Sequence, residues 1–354
     1  MATILFAWEL GAGFDRLSRH WELAKRLATN GHRIVVIARD VARAGRVYGD
    51  GLAEILPAPI KPSAPDQAIN PTVSYPQILH NAGYEDRAEL RALVGASRSL
   101  LQSAKPDLAI LDHSPTALLA LRETGVQRIL SGTGFVIFPD TCSLPGLLCG
   151  LYPDDQIRRH EEQVLGVINE VLENLGVAPL AQLGQLFSDV EETHLTTFRE
   201  LDHYKGRAAS AYWGITPGRS GRRPQWHSVD GPKIYAYLKP ALAMSAVLGL
   251  LNQLRLPTLI YADGIDEACK GRYQSETLRF TEGPVDFDAV GRARVFCRSA
   301  ARPVDDRHRW RRRLGEALSF SRRAGTRNTL SLGESGSGLV DGCINGFKTA
   351  TFSD

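Results

Sequence analysis

Three short stretches place residues of chemical interest directly after apolar runs. Gly11 and Gly13 follow "TILFAW" (3–8), Asp112 and His113 end "DLAILDH" (107–113), and Ser131, Gly132, Thr133 and Gly134 lie within "QRILSGTGF" (127–135). Glycines between a strand and a helix let a backbone approach a phosphate closely, and helix N-termini bind anions. A dinucleotide site fails on spacing, however. The third glycine of G-x-G-x-x-G would fall on Arg16, and Asp40 lies 29 residues after Gly11, beyond the roughly 20 expected of a ribose-binding acid. A tight strand-to-helix turn accounts for the glycines on its own.

Other chemistries find less support. Cys142, Cys149, Cys269, Cys297 and Cys343 are odd in number and widely spaced, with no C-x-x-C pair and no histidine at a ligand spacing. They read as reduced thiols of a cytoplasmic protein, and no metal is expected. The first residues lack the basic region and cleavage pattern of a secretory signal. The apolar run at 241–251 falls short of the roughly 20 residues that cross a bilayer, so no transmembrane segment is expected.

The net charge of +3 is unevenly placed: residues 298–327 hold ten arginines against Asp305, Asp306 and Glu316, a local +7. With Trp310 this run has the charge of a nucleic-acid patch but no binding motif, so nucleic acid is not an expected partner. Hydrophobic periodicity stops at Cys297 and Arg, Ala, Pro and Ser take over, as happens when a GC-rich gene is read out of frame. A frameshift-like lesion is therefore a hypothesis. Translating the other two frames across codons 297 to 335 tests it, and it is wrong if neither restores a Gly-rich strand-then-helix segment.

The elements that must position the glycines and Asp112 alternate. "TILFAW" reads as a strand, "RLSRHWELAKRLATNG" as a helix with Leu17, Trp21, Ala24, Leu27 and Ala28 on one stripe, and "HRIVVIARD" as the next strand. "GLAEILPAP", a helix over 86–104, a strand at 107–113, a helix at 114–125, a strand at 127–135, a long helix at 153–177 and a strand at 192–201 continue the pattern. This alternation predicts a doubly wound α/β sheet, where ligands sit beyond the carboxyl ends of the strands. A second β/α series covers strands at 233–238, 257–264, 277–285 and 292–297 and a helix at 242–255. The expected organisation is two Rossmann-like domains: 1–213 as the first, 214–232 as a Gly, Pro and Arg-rich linker, and 233–297 as the start of the second. Residues 298–354 form a tail with no strand of usable length, which leaves the second domain incomplete.

Leu23-Ala24-Lys25-Arg26-Leu27 and Asn30-Gly31-His32-Arg33-Ile34, with "PDLAILDHSP", "SGTGF" and "GPKIYAYLKP", resemble the UDP-glycosyltransferase-like family of GT-B fold over about residues 3 to 297. The resemblance implies an inverting transfer of a sugar from a nucleotide donor, UDP-linked in the first instance, to a hydroxyl on a small or lipid-like acceptor. It implies no metal and no further cofactor, because in that fold protein groups hold the pyrophosphate. The family's general base is a histidine in a G-H dipeptide, oriented by an aspartate. The aspartate matches Asp112, whereas the dipeptide falls on Asp15-Arg16.

Arginine has no acceptor atom and stays protonated far above pH 7, so Arg16 cannot take a proton from a hydroxyl. Two imidazoles are candidates for a substitute base: His113, a catalytic candidate beside Asp112 that could equally pack at the start of the following helix, and His20, which the pattern places on the exposed side of its own. Arg16 is left a role as a cation facing the donor phosphates, while Gly11, Gly13 and Ser131 to Gly134 line the ligand side. On the donor side the family carries Gly with Ser or Thr after the second domain's first strand, where Lys239 and Pro240 stand here. Its H-x-G-G-x-G-T-like segment is replaced after Cys297 by Arg298-Ser299-Ala300-Ala301-Arg302-Pro303. The alternative to an active transferase is thus an inactive remnant, a pseudoenzyme or acceptor-binding module without a donor site.

Overall fold

The computed structural model describes residues 1–11, 15–49, 51–62, 65–70, 72–139, 141, 143–147, 154–199, 202–204, 207, 211–214, 222–226, 233–238, 240, 244–262, 264–283, 285, 295–299 and 328–332. The chain divides into two compact units, Met1–Arg219 and Ser220–Asp354. Gly13, Lys239, residues 300–327, the tail from 333 and most of the expected 214–232 linker lie outside the described residues.

In the first unit the strands β1 (Thr3–Trp8), β2 (Arg33–Ala38), β3 (Glu54–Pro57), β4 (Leu108–Leu111), β5 (Gln127–Gly132) and β6 (Glu192–Leu195) form one parallel sheet. Their order, β3-β2-β1-β4-β5-β6, is the doubly wound Rossmann order with β1 at its centre. Central strands read as unbroken apolar runs because both faces of the sheet are covered. Leu5, Ala7, Val35, Ile37, Ala109 and Leu111 pack into one core, and Ile4, Phe6, Trp8, Ile34, Val36 and Ile110 into the other.

The helices are α1 (Asp15–Arg19), α2 (Trp21–Thr29), α3 (Val41–Tyr48), α4 (Tyr75–Leu79, continued by one π-turn at His80–Tyr84), α5 (Arg87–Ala104), α6 (Pro115–Leu121), α7 (Asp154–Asn174) and α8 (Gln185–Ser188). The single helix predicted after the glycines is broken at His20 (φ −98°, ψ −1°). Helix α3 follows β2 where the sequence pattern suggested none. Asp40 starts it by accepting a hydrogen bond from the Arg43 amide at 2.9 Å, which explains this acid without a ribose. Asp86 starts α5 in the same way, with Glu89 N at 2.8 Å. The long helix expected at 153–177 is α7, and it buries Val164, Ile168, Val171 and Leu172 along one stripe.

The second unit repeats the plan with β7 (Ile234–Leu238), α9 (Met244–Gln253), β8 (Thr258–Ala262), α10 (Glu267–Tyr273), β9 (Leu278–Thr281), β10 (Val295–Ser299) and β11 (Asn328–Leu332). All its strand pairs are parallel, in the order β11-β10-β7-β8-β9. Ile234, Ala236, Leu238, Val247, Leu248, Leu251 and Ile260 make its core. Strand β11 corrects the expectation that nothing beyond Cys297 is a strand: "NTLSL" carries only two apolar residues, yet it pairs along the whole of β10. Backbone pairing needs no particular side chain, so so weak a pattern escaped the sequence reading.

Candidate functional site

The carboxyl ends of β1, β4 and β5 bring together most of the residues singled out above. Strand β1 runs into Glu9, Leu10 and Gly11, whose φ of +83° is accessible to glycine at little cost. The Leu10 amide donates to the His113 carbonyl at 3.1 Å, tying the loop after β1 to the loop after β4.

Asp112 ends β4 and is buried. Its Oδ1 accepts from Arg16 Nη1 at 2.8 Å and its Oδ2 from Arg19 Nη1 at 2.5 Å. His20 Nε2 stands 3.6 Å from Oδ2, too far for a hydrogen bond but close enough to act as a neighbouring dipole or charge. Arg16 and Arg19, three residues apart on α1, share the face turned to β4, and His20, at the break that follows, reaches the same carboxylate. Burial alone would raise the Asp112 carboxyl; the charge of Arg19, the approach of His20 and the charge of Arg16 outweigh it and hold the group well below the usual carboxylate range. Asp112 is therefore a permanent anion clasped by two guanidinium groups.

The structure thus puts Arg16 in contact with Asp112, as an ion pair. His20, expected on an exposed face, is instead buried against Asp112 and the Phe6 ring, because the face carrying Arg16 and Arg19 turns inward.

His113 is buried at a φ of +55° between the Tyr75 ring (centroids 5.6 Å apart) and the Phe135 ring (6.0 Å). Neither ring nitrogen has a hydrogen-bond partner. Burial, then the charge of Arg16, push its pKa down to about 3, so the ring is neutral at ordinary pH.

Ser131 and Gly132 close β5 and are buried. A Cβ on Gly132 would lie 2.8 Å from Val136 Cγ2 and 3.2 Å from Asp112 Oδ1, so glycine is what lets β5 pass the carboxylate. Thr133 turns the chain, its carbonyl accepting from the Val136 amide at 3.1 Å. Gly134 abuts Asp202, with which a Cβ would collide at 1.9 Å. Asp202 is in turn held by Arg207 Nε at 2.8 Å and the Tyr212 hydroxyl at 2.7 Å. Ser131 to Gly134 therefore shape the edge through close backbone approach.

Two further residues at this edge were not singled out from sequence. Arg19 could have been found from its spacing to Arg16. Glu9, just after β1, accepts from the Thr116 and Ala117 amides at 2.9 and 2.7 Å and so caps α6 from across the sheet. Burial, against those two amide bonds, raises its pKa to about 7. Its partners are 107 and 108 residues away, so no local signal announces it.

In the second unit, Pro240 follows β7 two residues on and offers no N–H to a phosphate. No group of three or more His, Cys, Asp or Glu is placed to hold a metal among the described residues. No described helix is long and apolar enough to cross a membrane.

No protein-family model matches the sequence, and no curated protein matches it. Solved structures do match. The glycotransferase of kitacinnamycin superposes with a TM-score of 0.56 at 16% identity, over 84% of this chain and 75% of its own. Glycosyltransferase VinC, solved in complex with dTDP, gives 0.54 at 12% over 97% and 99%. Glycosyltransferase SnogD from Streptomyces nogalater gives 0.52 at 16% over 84% and 76%. The chain has the GT-B fold. Both GT-B units are Rossmann-like here, as the paired strand orders require, and Asp112 occupies the carboxyl edge of the first.

Proposed function

We propose that this GT-B chain descends from, and still operates as, an inverting glycosyltransferase that takes a nucleotide sugar and a small or lipid-like hydroxyl acceptor. One observation carries this reading: a buried aspartate at the end of β4 faces the residue that stands at the family's base position, with an imidazole, His20, 3.6 Å from the same carboxylate. In this reading Asp112 and His20 replace the family pair, His20 taking the acceptor proton while Asp112 opposes the imidazolium charge. Gly11 and Ser131 to Gly134 line the acceptor side, and His113 packs beneath. The donor is UDP-linked or, by analogy with the dTDP held by VinC, dTDP-linked. The reading requires no metal, cofactor or nucleic acid and places the protein in the cytoplasm.

A second reading is favoured by a specific feature of the same cluster. Two arginines already neutralise Asp112, which leaves it little power to raise the basicity of a histidine. With arginine at the base position and a proline beside the donor strand, the chain would bind ligands without turning them over. Titration calorimetry with UDP, dTDP and their glucose conjugates, followed by a hydrolysis and transfer assay, separates the two. Turnover that disappears in His20→Ala supports the transferase. Absence of turnover, whether or not a nucleotide still binds, supports the remnant, and turnover gained in Arg16→His traces the loss to the base position. No nucleotide binding at millimolar concentration removes the first reading altogether.

A further inference from the structure

The cluster around Asp112 is unbalanced in charge. The Arg16 and Arg19 side chains are only 12% and 13% exposed, yet among the described residues the pair shares one carboxylate. Glu9 forms no ion pair with either arginine among the described residues; its two oxygens accept from the α6 amides instead. A third arginine adds to the excess: Arg39, just past β2, reaches the Gly11 carbonyl with Nη1 at 3.4 Å. Arg16 borders the same glycine, its Nε 3.1 Å and Nη2 3.5 Å from where a Cβ would stand.

Each guanidinium has five N–H donors, and Asp112 uses one from Arg16 and one from Arg19. Near-buried cations without matched anions are costly, so such an arrangement persists where a ligand completes it. Nearby, the Tyr75 ring packs on His113 with centroids 5.6 Å apart.

We propose that Arg16, Arg19 and Arg39 form an oxyanion seat at the carboxyl edge of the first sheet. It takes a carboxylate or phosphate carried by the ligand bound there. Arginine suits this task because its planar fork meets both oxygens of such a group. The proposal rests on reading this edge as the ligand side of a transferase, and it adds a requirement that reading lacks: one substrate must present an anion to the first unit. That anion is either an acid group on the acceptor or the pyrophosphate of the donor.

The full chain is titrated at low salt with UDP, with 4-hydroxybenzoate and with neutral 4-hydroxybenzamide. The benzoate or UDP is expected to bind at least about tenfold more tightly than the amide. Preference for the benzoate assigns the seat to the acceptor, and binding of UDP alone assigns it to the donor. Arg39 is exposed and holds no carboxylate among the described residues, so Arg39→Gln keeps the fold and is expected to weaken the bound anion about threefold to tenfold. The pair Arg19→Gln with Asp112→Asn keeps the local charge and removes donors, and should weaken it further. Equal affinity for the amide and both anions overturns the seat, as does anion binding that stays within twofold in both variants. Loss of the transferase reading looks different: anions bind and depend on these arginines, while no sugar nucleotide is consumed.

Discussion

Replacing Asp112 by Asn probes the physical claim on which the site rests. The carboxylate is buried and accepts one N–H from each of two arginines, at 2.8 and 2.5 Å. Removing one partner from a buried ion cluster costs about 3–5 kcal/mol. Asparagine keeps one acceptor for one arginine but turns an NH₂ group toward the other, so a loss of about 3 kcal/mol is expected. For a domain of this size that lowers Tm by roughly 6–12 °C.

The pH dependence has a definite sign. The folded-state pKa of Asp112 is depressed, so its stabilisation is complete above the ordinary carboxylate value of 3.8 and is lost as pH falls toward the folded value. Urea unfolding of wild type and Asp112→Asn at pH 7 and in steps below pH 4 reads both quantities. The difference should be large at pH 7 and shrink in acid, and adding Arg19→Gln should cost less than the sum of the single changes. A loss under 1 kcal/mol at pH 7, or a difference that holds constant into acid, refutes the buried ion cluster.

Glu9 has the opposite sign. Its folded pKa is raised to about 7 from 4.5, so its contribution is present at low pH and lost as pH rises through 7. Wild type should lose on the order of 2–3 kcal/mol between pH 5 and pH 8, and a Glu9→Gln urea series should be flatter. Gly132→Ala places a methyl 2.8 Å from Val136 Cγ2 and should destabilise by about 1–3 kcal/mol, with partial recovery when Val136 is also made Ala. In the second unit Leu248 is fully buried, so Leu248→Ala should cost about 2–5 kcal/mol in a transition monitored separately from that of the first unit.

The α/β class and the two series of parallel strands were legible because central strands such as "TILFAW" and "RIVVIA" are apolar from their second residue on, a pattern that a sheet covered on both faces demands. Long helices were legible for the same reason: the stripe on α7 has a period that repeats over six turns. Short elements were not. Helix α3 places Ala44, Val47 and Tyr48 on one buried face but is only eight residues long, and strand β11 carries too few apolar residues to show a period.

At the site, sequence by itself placed Asp112, His113 and the 131–134 loop at strand ends, since strand ends follow from hydrophobic pattern. It also determined that Arg16 is no base, which is a property of the guanidinium wherever it sits. Only the tertiary structure decided what these residues do to one another. Asp112 and Arg16 are 96 residues apart, and Glu9 and Ala117 are 108 apart. Such pairs meet only when β1 and β4 lie side by side, and it is burial at that junction that makes one carboxylate a permanent anion and raises the other toward neutral pH.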